Sequence, residues 1–578
     1  MSSMHVIKTQ QLLQHFVTTG RRERRLTIKW PSDAPATCPL CNSPIRFKHV
    51  GGKRWVQMLQ WILVVRAAYY ACTNKACVLH HPFTVPNDIV LPFKRHGRDV
   101  WEKVIMLHVE QGQGPDKIVT DLQTNFGFTI SAATVARIIE TYEILKSSSV
   151  DEKALVRIRK TGFIIMAVDG QRPETGKPGL WYIVDVVTNV VLLVEYLTCA
   201  DAAALGKMFK TIEQKFGVPI KAVLSDHQAS IVNAVAEYLP AAVHQYCHFH
   251  FLKNLAAPLG AIDSHLQKTM EIGIRGLYIN RANRSNAPNL IDGVKEPIRD
   301  FFKPVMEDLT QLINNRQKLF DTWAGLASFN NVKAYVPRLK ELQLAMAEGS
   351  RAQGILSKTI SAVETLLTTA RVHVEKLDFL IPRLNEIRSI LGTENDTTWV
   401  MHAKAREWAQ AQEWFLHEAG IDMPDEQRRI AQLNYDASIT DVLSQWMHLF
   451  NSHEGGLYQF LSMPGLPRSN SSMEHEFSVE NRFFRSCAGT AMVGHSIRVK
   501  GDVVLKMLKD REVNGKSTGN SIQTVLDTHD CEIVARGKDV FKERRVAERK
   551  TWNVVKKVVH GIARLVGRLV GIRRNKKA

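Results

Sequence analysis

Apolar and polar positions change rhythm along the 578 residues, and each change predicts a different kind of element. Between 161 and 260 short apolar runs alternate with amphipathic stretches. The runs 163–168, 180–187 and 190–197 read as strands, with a turn at Thr188-Asn189 between the last two. Residues 201–216 repeat their apolar positions at helical spacing, 220–224 is a fourth strand, 228–238 a helix and 243–246 a short last strand. From about 252 to 463 strand patterning disappears. Amphipathic helical periodicity with few Gly or Pro stops takes over, which predicts an all-helical insertion.

Upstream, 53–60 and 64–70 look like two strands set between Cys38-Pro-Leu-Cys41 and Cys72-Thr-Asn-Lys-Ala-Cys77. Two Cys pairs on knuckles joined by short strands describe a zinc ribbon over 38–83. Four thiolates satisfy a tetrahedral ion, and one Zn²⁺ per chain replaces a core too small to fold alone. His80 and His81 stand close enough in sequence to substitute for Cys77. Residues 99–146 read as helical. A helix over 115–125, the turn Phe126-Gly-Phe-Thr-Ile130 and a second helix from Ser131, an N-cap residue, predict a helix-turn-helix. Ser131, Thr134 and Arg137 would then face a DNA groove.

Charge sharpens this picture. Against 57 Asp and Glu stand 76 Lys and Arg, hence +19, which favours a polyanionic partner. No apolar stretch reaches the ~18 residues a bilayer span requires, and the first thirty residues lack a secretory pattern. Eight cysteines in so long a chain are no disulfide framework, which fits a reducing interior and a cytoplasmic protein. The end of the chain, 536–578, is rich in Lys and Arg, with Val and Leu interleaved from 554 to 570. It reads as a basic amphipathic helix or a solvated basic end.

Three carboxylates stand out. Asp169 closes the run Phe163-Ile-Ile-Met-Ala-Val168, Asp226 closes Ile220-Lys-Ala-Val-Leu-Ser225, and Glu474 lies in Arg468-Ser-Asn-Ser-Ser-Met-Glu-His-Glu476. A carboxylate at the end of a buried strand has no packing use. Its chemistry suits a hard cation such as Mg²⁺, which takes oxygen ligands and leaves positions for phosphate oxygens. Three strands followed by helix, strand, helix, strand is the RNase H-like order, in which the first and fourth strands are neighbours and Asp169 and Asp226 converge. For the third carboxylate, helical spacing groups Glu474 with Ser478, Asn481 and Arg485 on a polar side. Glu476 and Glu480 project nearer the apolar side, so all three glutamates stay candidates. Asp185 lies within a strand run and reads as a surface residue.

Taken together, Val168-Asp-Gly170, Ser225-Asp226, Cys247-His-Phe-His250 and Ser469-Asn-Ser-Ser-Met-Glu474 resemble DDE transposases of bacterial insertion sequences. These carry an N-terminal zinc ribbon and helix-turn-helix; the Mutator-like group is more distant. The resemblance implies an RNase H-like catalytic domain, Asp169, Asp226 and Glu474 as its triad, and two Mg²⁺ (or Mn²⁺) per active site. It further implies Cys247 and His250 as active-site support, Arg482 and Arg485 near DNA, and hydrolysis and strand transfer at transposon ends. The partners would be double-stranded DNA and at least one further copy of the chain, with no small-molecule substrate, on the bacterial nucleoid. A DNA-binding regulator without catalysis and a nuclease of the same fold are the alternatives. The fold class expected is multidomain α+β. Its segments are 1–95 with the ribbon, 96–150 helix-turn-helix, 151–262 first catalytic part, 263–463 helical insertion, 464–510 second catalytic part and 511–578 basic tail.

Overall fold

The computed structural model describes residues 17–18, 23–29, 36–85, 89–91, 94–148, 152–171, 179–197, 199–278, 296–313, 323–393, 396–419, 434–489, 493–514 and 519–547. The chain is a mixed α+β protein forming two compact units, one of 1–162, 168–218 and 472–578, the other of 163–167 and 219–471.

In the first unit, a sheet is built around one long strand. Its strands are β1 (Val17–Thr18), β2 (Glu23–Ile28), β3 (Ile45–Val50), β4 (Arg54–Gln57), β5 (Ile62–Cys72) and β6 (Phe83–Thr84). β2 runs parallel to β5, whereas β3, β4 and β6 pair with it antiparallel. Leu26, Ile28, Val56, Leu63 and Val65 form the small core beneath one face of this sheet. Burying so few side chains stabilises a sheet only weakly, which is why the cysteine cluster at its end matters.

Three helices follow: α1 (Arg98–Gln111), α2 (Pro115–Phe126) and α3 (Ala132–Ser148). Pro115 sits at the first position of α2, and Gly127, at φ +60, closes it in the left-handed conformation that glycine adopts without strain. The Ser131 side chain accepts from the Thr134 backbone N–H at 3.3 Å, so it caps α3 as its residue type predicts. Ile118, Leu122, Val135, Ile138 and Tyr142 turn inward. The short α4 (Glu152–Thr161) then leads to the second sheet.

That sheet has five strands: β7 (Ile164–Gln171), β8 (Gly179–Asp185), β9 (Val190–Leu197), β10 (Ile220–Ser225) and β11 (Val243–Tyr246). They lie in the order β11-β10-β7-β8-β9, with α5 (Ala202–Phe216) before β10 and α6 (Ala229–Tyr238) after it. Each predicted strand and helix is present within three residues of its sequence-read bounds. β8 and β9 pair antiparallel, and β10 and β11 parallel.

One reading of the β8–β9 turn is overturned. Asp185 is fully buried rather than a surface residue. Its carboxylate accepts from the Thr188 backbone N–H at 2.9 Å and from the Thr188 hydroxyl at 2.5 Å. These bonds close the turn ahead of Asn189, which takes φ +57. The carboxylate is therefore a structural turn-maker that exchanges water for local donors.

The second unit is dominated by helices α7 (His248–Tyr278), α8 (Glu296–Ile313), α9 (Ala324–Leu344), α10 (Arg351–Gly392), α11 (Thr398–Glu418) and α12 (Ile439–His453). Their apolar stripes meet in one continuous core that includes Leu255, Ile262, Leu356, Leu377, Trp408 and Trp446. Several polar groups inside it find partners. The Trp446 indole donates to the Leu255 carbonyl at 2.7 Å, and Asp263 accepts from the Gly325 and Leu326 N–H groups at the start of α9.

After this unit come α13 (Ser471–Ala488), α14 (Gly494–Asn514) and α15 (Gly519–Asp527). A further helix covers 531–547. The segment 511–578 is therefore more than a basic tail. Phe541 packs with Ile144, Val499 and Val503, and Arg544 makes a forked pair with Asp502 at 2.8 and 3.0 Å. The interleaved stretch 554–570 lies outside the described residues.

Candidate functional site

Each cysteine pair of the ribbon sits on a tight knuckle. At the first, Cys38 N–H donates to Ser43 O at 2.7 Å and Asn42 N–H to Cys38 O at 2.9 Å, with Asn42 at φ +55. At the second, Asn74 N–H donates to the Cys72 sulfur at 3.3 Å. The knuckles bring all four sulfurs within 4.8 Å of one another. Cys38 and Cys77 are 3.6 Å apart, and Cys41 and Cys72 3.5 Å. Four thiolates at ~2.3 Å from a tetrahedral ion would stand ~3.8 Å from each other, so the spacing fits a metal ion closely. Burial pushes the Cys72 thiol up to about 12, while bonding to Ser43 brings Cys41 down to about 6. His80 does not enter this group, because its ring bonds the Cys72 carbonyl at 3.0 Å.

On α3, Ser131 and Arg137 are exposed and Thr134 is half-buried. Ser131 and Thr134 hydroxyls bond each other at 2.8 Å. Behind them Val135, Ile138 and Ile139 are buried, so the predicted DNA-facing residues stand on the outward side of the helix. Arg482 and Arg485 are likewise exposed, on α13.

Asp169 lies two residues before the end of β7 and is largely buried. One of its oxygens accepts from the Gly170 N–H at 2.7 Å. Gly170 lies close to a neighbour, since an added Cβ would come 3.1 Å from the Trp181 ring. Glu474 is in the first turn of α13, half-buried. The structure brings these two carboxylates together although 305 residues separate them in sequence: Asp169 and Glu474 each offer a ligand atom within 4.8 Å of the other. Paired carboxylates suit a divalent cation.

The rival glutamates of α13 are engaged elsewhere. Glu476 pairs with the buried ammonium of Lys509. Glu480 is fully buried, and burial, with Asp502 adding to it, holds its carboxyl well above the usual range. Asp226 follows β10 directly and accepts from the Gln228 N–H at 3.3 Å. It is not a member of the group around Asp169.

Residues 166–350 match a family model described as transposase, of the DDE type of ISL3 insertion sequences. Over this segment the chain is similar to DDE transposases of insertion sequences. Asp169, Asp226 and His250 fall inside the matched segment, and Glu474 beyond it. No curated protein matches the chain.

The Cys247–His250 element of the matched segment opens α7. Cys247 is buried, its N–H donates to Ser225 O at 2.8 Å, and its sulfur accepts from the Asn470 N–H at 3.1 Å. One residue on, His248 N–H donates to Arg468 O, and the His248 ring bonds Leu457 O at 2.6 Å. The stretch leading to α13 is thus tied to the end of β10 and the start of α7. Sequence alone did not reveal this bond. The buried Asn470, four residues before Glu474, was its nearest signal.

Proposed function

We propose that the chain is a DNA transposase that hydrolyses phosphodiester bonds at the ends of its element and transfers the freed strand to target DNA. The observation that carries the reading is the closure of Asp169 and Glu474 within a chain that matches transposases over 166–350. Asp169, Asp226 and Glu474 serve as the catalytic carboxylates and hold two Mg²⁺ (or Mn²⁺) ions. Bound divalent ions would supply an activated water or 3′ hydroxyl and stabilisation of the leaving oxygen. Around that chemistry the protein's own task is positional. The Gly170 N–H bond orients Asp169, the first turn of α13 presents Glu474, and His250 and Cys247 support them.

Cys38, Cys41, Cys72 and Cys77 hold one Zn²⁺ and stabilise the ribbon. Ser131, Thr134 and Arg137 contact the transposon end, with Arg482 and Arg485 contributing cations to DNA. The RNase H-like reading of the second sheet is supported by its order, with the first strand β7 at the centre. Both ends of an element must be processed together, so the working form is at least a dimer on double-stranded DNA in the cytoplasm. The test is a strand-transfer assay in Mg²⁺ on duplexes carrying the element's termini. Joined products are expected from the wild-type chain, and cleavage without joining would reduce the reading to a nuclease.

A further inference from the structure

β11 carries a histidine where β10 carries a buried valine: His244 pairs in register with Val223. The same parallel pairing sets Tyr246 opposite Ser225. Side chains alternate along a strand, so His244, Tyr246 and Ser225 share one side of this strand pair. Their contacts agree with the register. The His244 ring meets Tyr246 edge to face with centroids 4.8 Å apart, and its Nε2 lies 2.9 Å from the Ser225 hydroxyl oxygen.

Ser225 is fully buried, and its carbonyl accepts from the Cys247 N–H at 2.8 Å, which fixes its backbone. A hydroxyl has one proton to give. Here it goes to the main-chain carbonyl of Asp226 at 2.7 Å, so the same oxygen accepts from His244 Nε2–H. A neutral imidazole carries its proton on one nitrogen, and this bond selects Nε2. Donation from the imidazole occupies a lone pair of the hydroxyl and strengthens the bond that the hydroxyl makes in turn. Two bonds thus run in line from β11 to the end of β10 and on to Asp226.

Asp226 stands just past the last residue of β10, where ladder pairing stops. Two rotations decide where its carboxylate points. The Ser225 bond to the Asp226 carbonyl sets the peptide plane that follows Asp226. The Gln228 N–H, donating to the carboxylate at 3.3 Å, sets the side chain across the same turn.

We propose that His244 is a positioning residue for Asp226, acting through the Ser225 hydroxyl to hold that carboxylate in its metal-binding direction. The proposal rests on the reading above that Asp226 is a metal-binding catalytic carboxylate, and adds a residue that acts on it from the neighbouring strand.

The test is Mn²⁺ binding to the full-length protein without DNA, followed by loss of the free-ion paramagnetic resonance signal. The Mg²⁺ concentration for half-maximal cleavage of a transposon-end duplex is measured alongside. Asp226→Asn should bind at least one ion fewer than wild type, and that ion reports on the site. His244→Phe keeps a flat ring but has no donor. It should weaken binding of that ion about ten-fold and raise the half-maximal Mg²⁺ by a similar factor. His244→Gln, whose amide can donate from nearly the place of Nε2, should return both close to wild type. Ser225→Ala should match His244→Phe, and the double variant should shift no further. Wild-type metal affinity in His244→Phe or Ser225→Ala, with the ion lost from Asp226→Asn, overturns the proposal and leaves the reading of Asp226 standing. So does a loss in His244→Gln as large as in His244→Phe, or an additive loss in the double variant. Undiminished Mn²⁺ binding and cleavage in Asp226→Asn overturns the reading of Asp226 and the proposal with it.

Discussion

The Asn470 backbone N–H donates to the Cys247 sulfur at 3.1 Å, which joins two segments 223 residues apart in sequence. Both groups are buried, so the bond has no water to replace it. It holds the stretch that delivers Glu474 to α13. Cys247→Ala would leave a buried donor unmade, at a cost of about 1–3 kcal/mol. Lower unfolding stability is expected, together with slower cleavage at unchanged end binding, and Cys247→Ser should recover part of both. Cleavage at the wild-type rate in a destabilised Cys247→Ala protein would limit Cys247 to a packing role.

Metal content tests the ribbon. Full-length protein should contain about one Zn²⁺ per chain bound by sulfur, and Cys41→Ser or Cys77→Ser should release it. His80→Ala should keep the ion, because that ring is occupied with the Cys72 carbonyl. Zinc retained in the Cys77 variant and lost in the His80 variant would reverse the assignment.

Much of the second sheet was legible because its strands are continuous apolar runs, as Phe163–Val168 runs up to Asp169. Contacts over long separation were not legible. Phe541 gives no local sign that it packs on Ile144, so 531–547 read as tail rather than core. Asp185 was misjudged because its partner is local but non-periodic: Thr188 supplies two donors that no hydrophobic pattern reports. Periodicity set Glu474 apart from Glu476 and Glu480 on the helix. It could not say that Glu480 is buried outright or that Lys509 waits for Glu476.

Those two glutamates are expected to behave differently from Glu474. Glu476→Gln should keep most cleavage activity but lower thermal stability, since the buried Lys509 ammonium loses its counter-charge. Glu480→Gln, placing a neutral amide where burial already disfavours the carboxylate charge, should change both assays less than Glu476→Gln does. Thermal melts alongside cleavage rates distinguish the three. An inactive but stable Glu476→Gln protein would transfer the role of third carboxylate to Glu476.

A buried ionic group links α1 and α3 to α14. His108 lies 3.6 Å from Glu143, which also pairs with Lys500 at 2.6 Å. Burial alone would lower the His108 pKa, but bonding to Cys487 and the charge of Glu143 outweigh it and raise it from 6.5 to about 9. A histidine whose folded pKa is raised adds stability that is fully present below 6.5 and is lost as pH climbs through about 9. Unfolding midpoints should therefore fall between pH 6.5 and 9, and His108→Gln should flatten that slope. An identical slope in the variant would place the titration elsewhere.

The central claim is that Asp169, Asp226 and Glu474 act on phosphodiester bonds through divalent metal, not through DNA affinity. The most direct measurement compares Mg²⁺-dependent cleavage of a transposon-end duplex by wild type, Asp169→Asn, Asp226→Asn and Glu474→Gln, with end binding recorded in parallel. Cleavage should fall by about a thousand-fold or more in each variant, a loss of ~4 kcal/mol of transition-state stabilisation. Binding should hold or tighten slightly as a negative charge is removed from a phosphate site. Cleavage near the wild-type rate in any of the three, with Mg²⁺ present and DNA bound, would contradict the account.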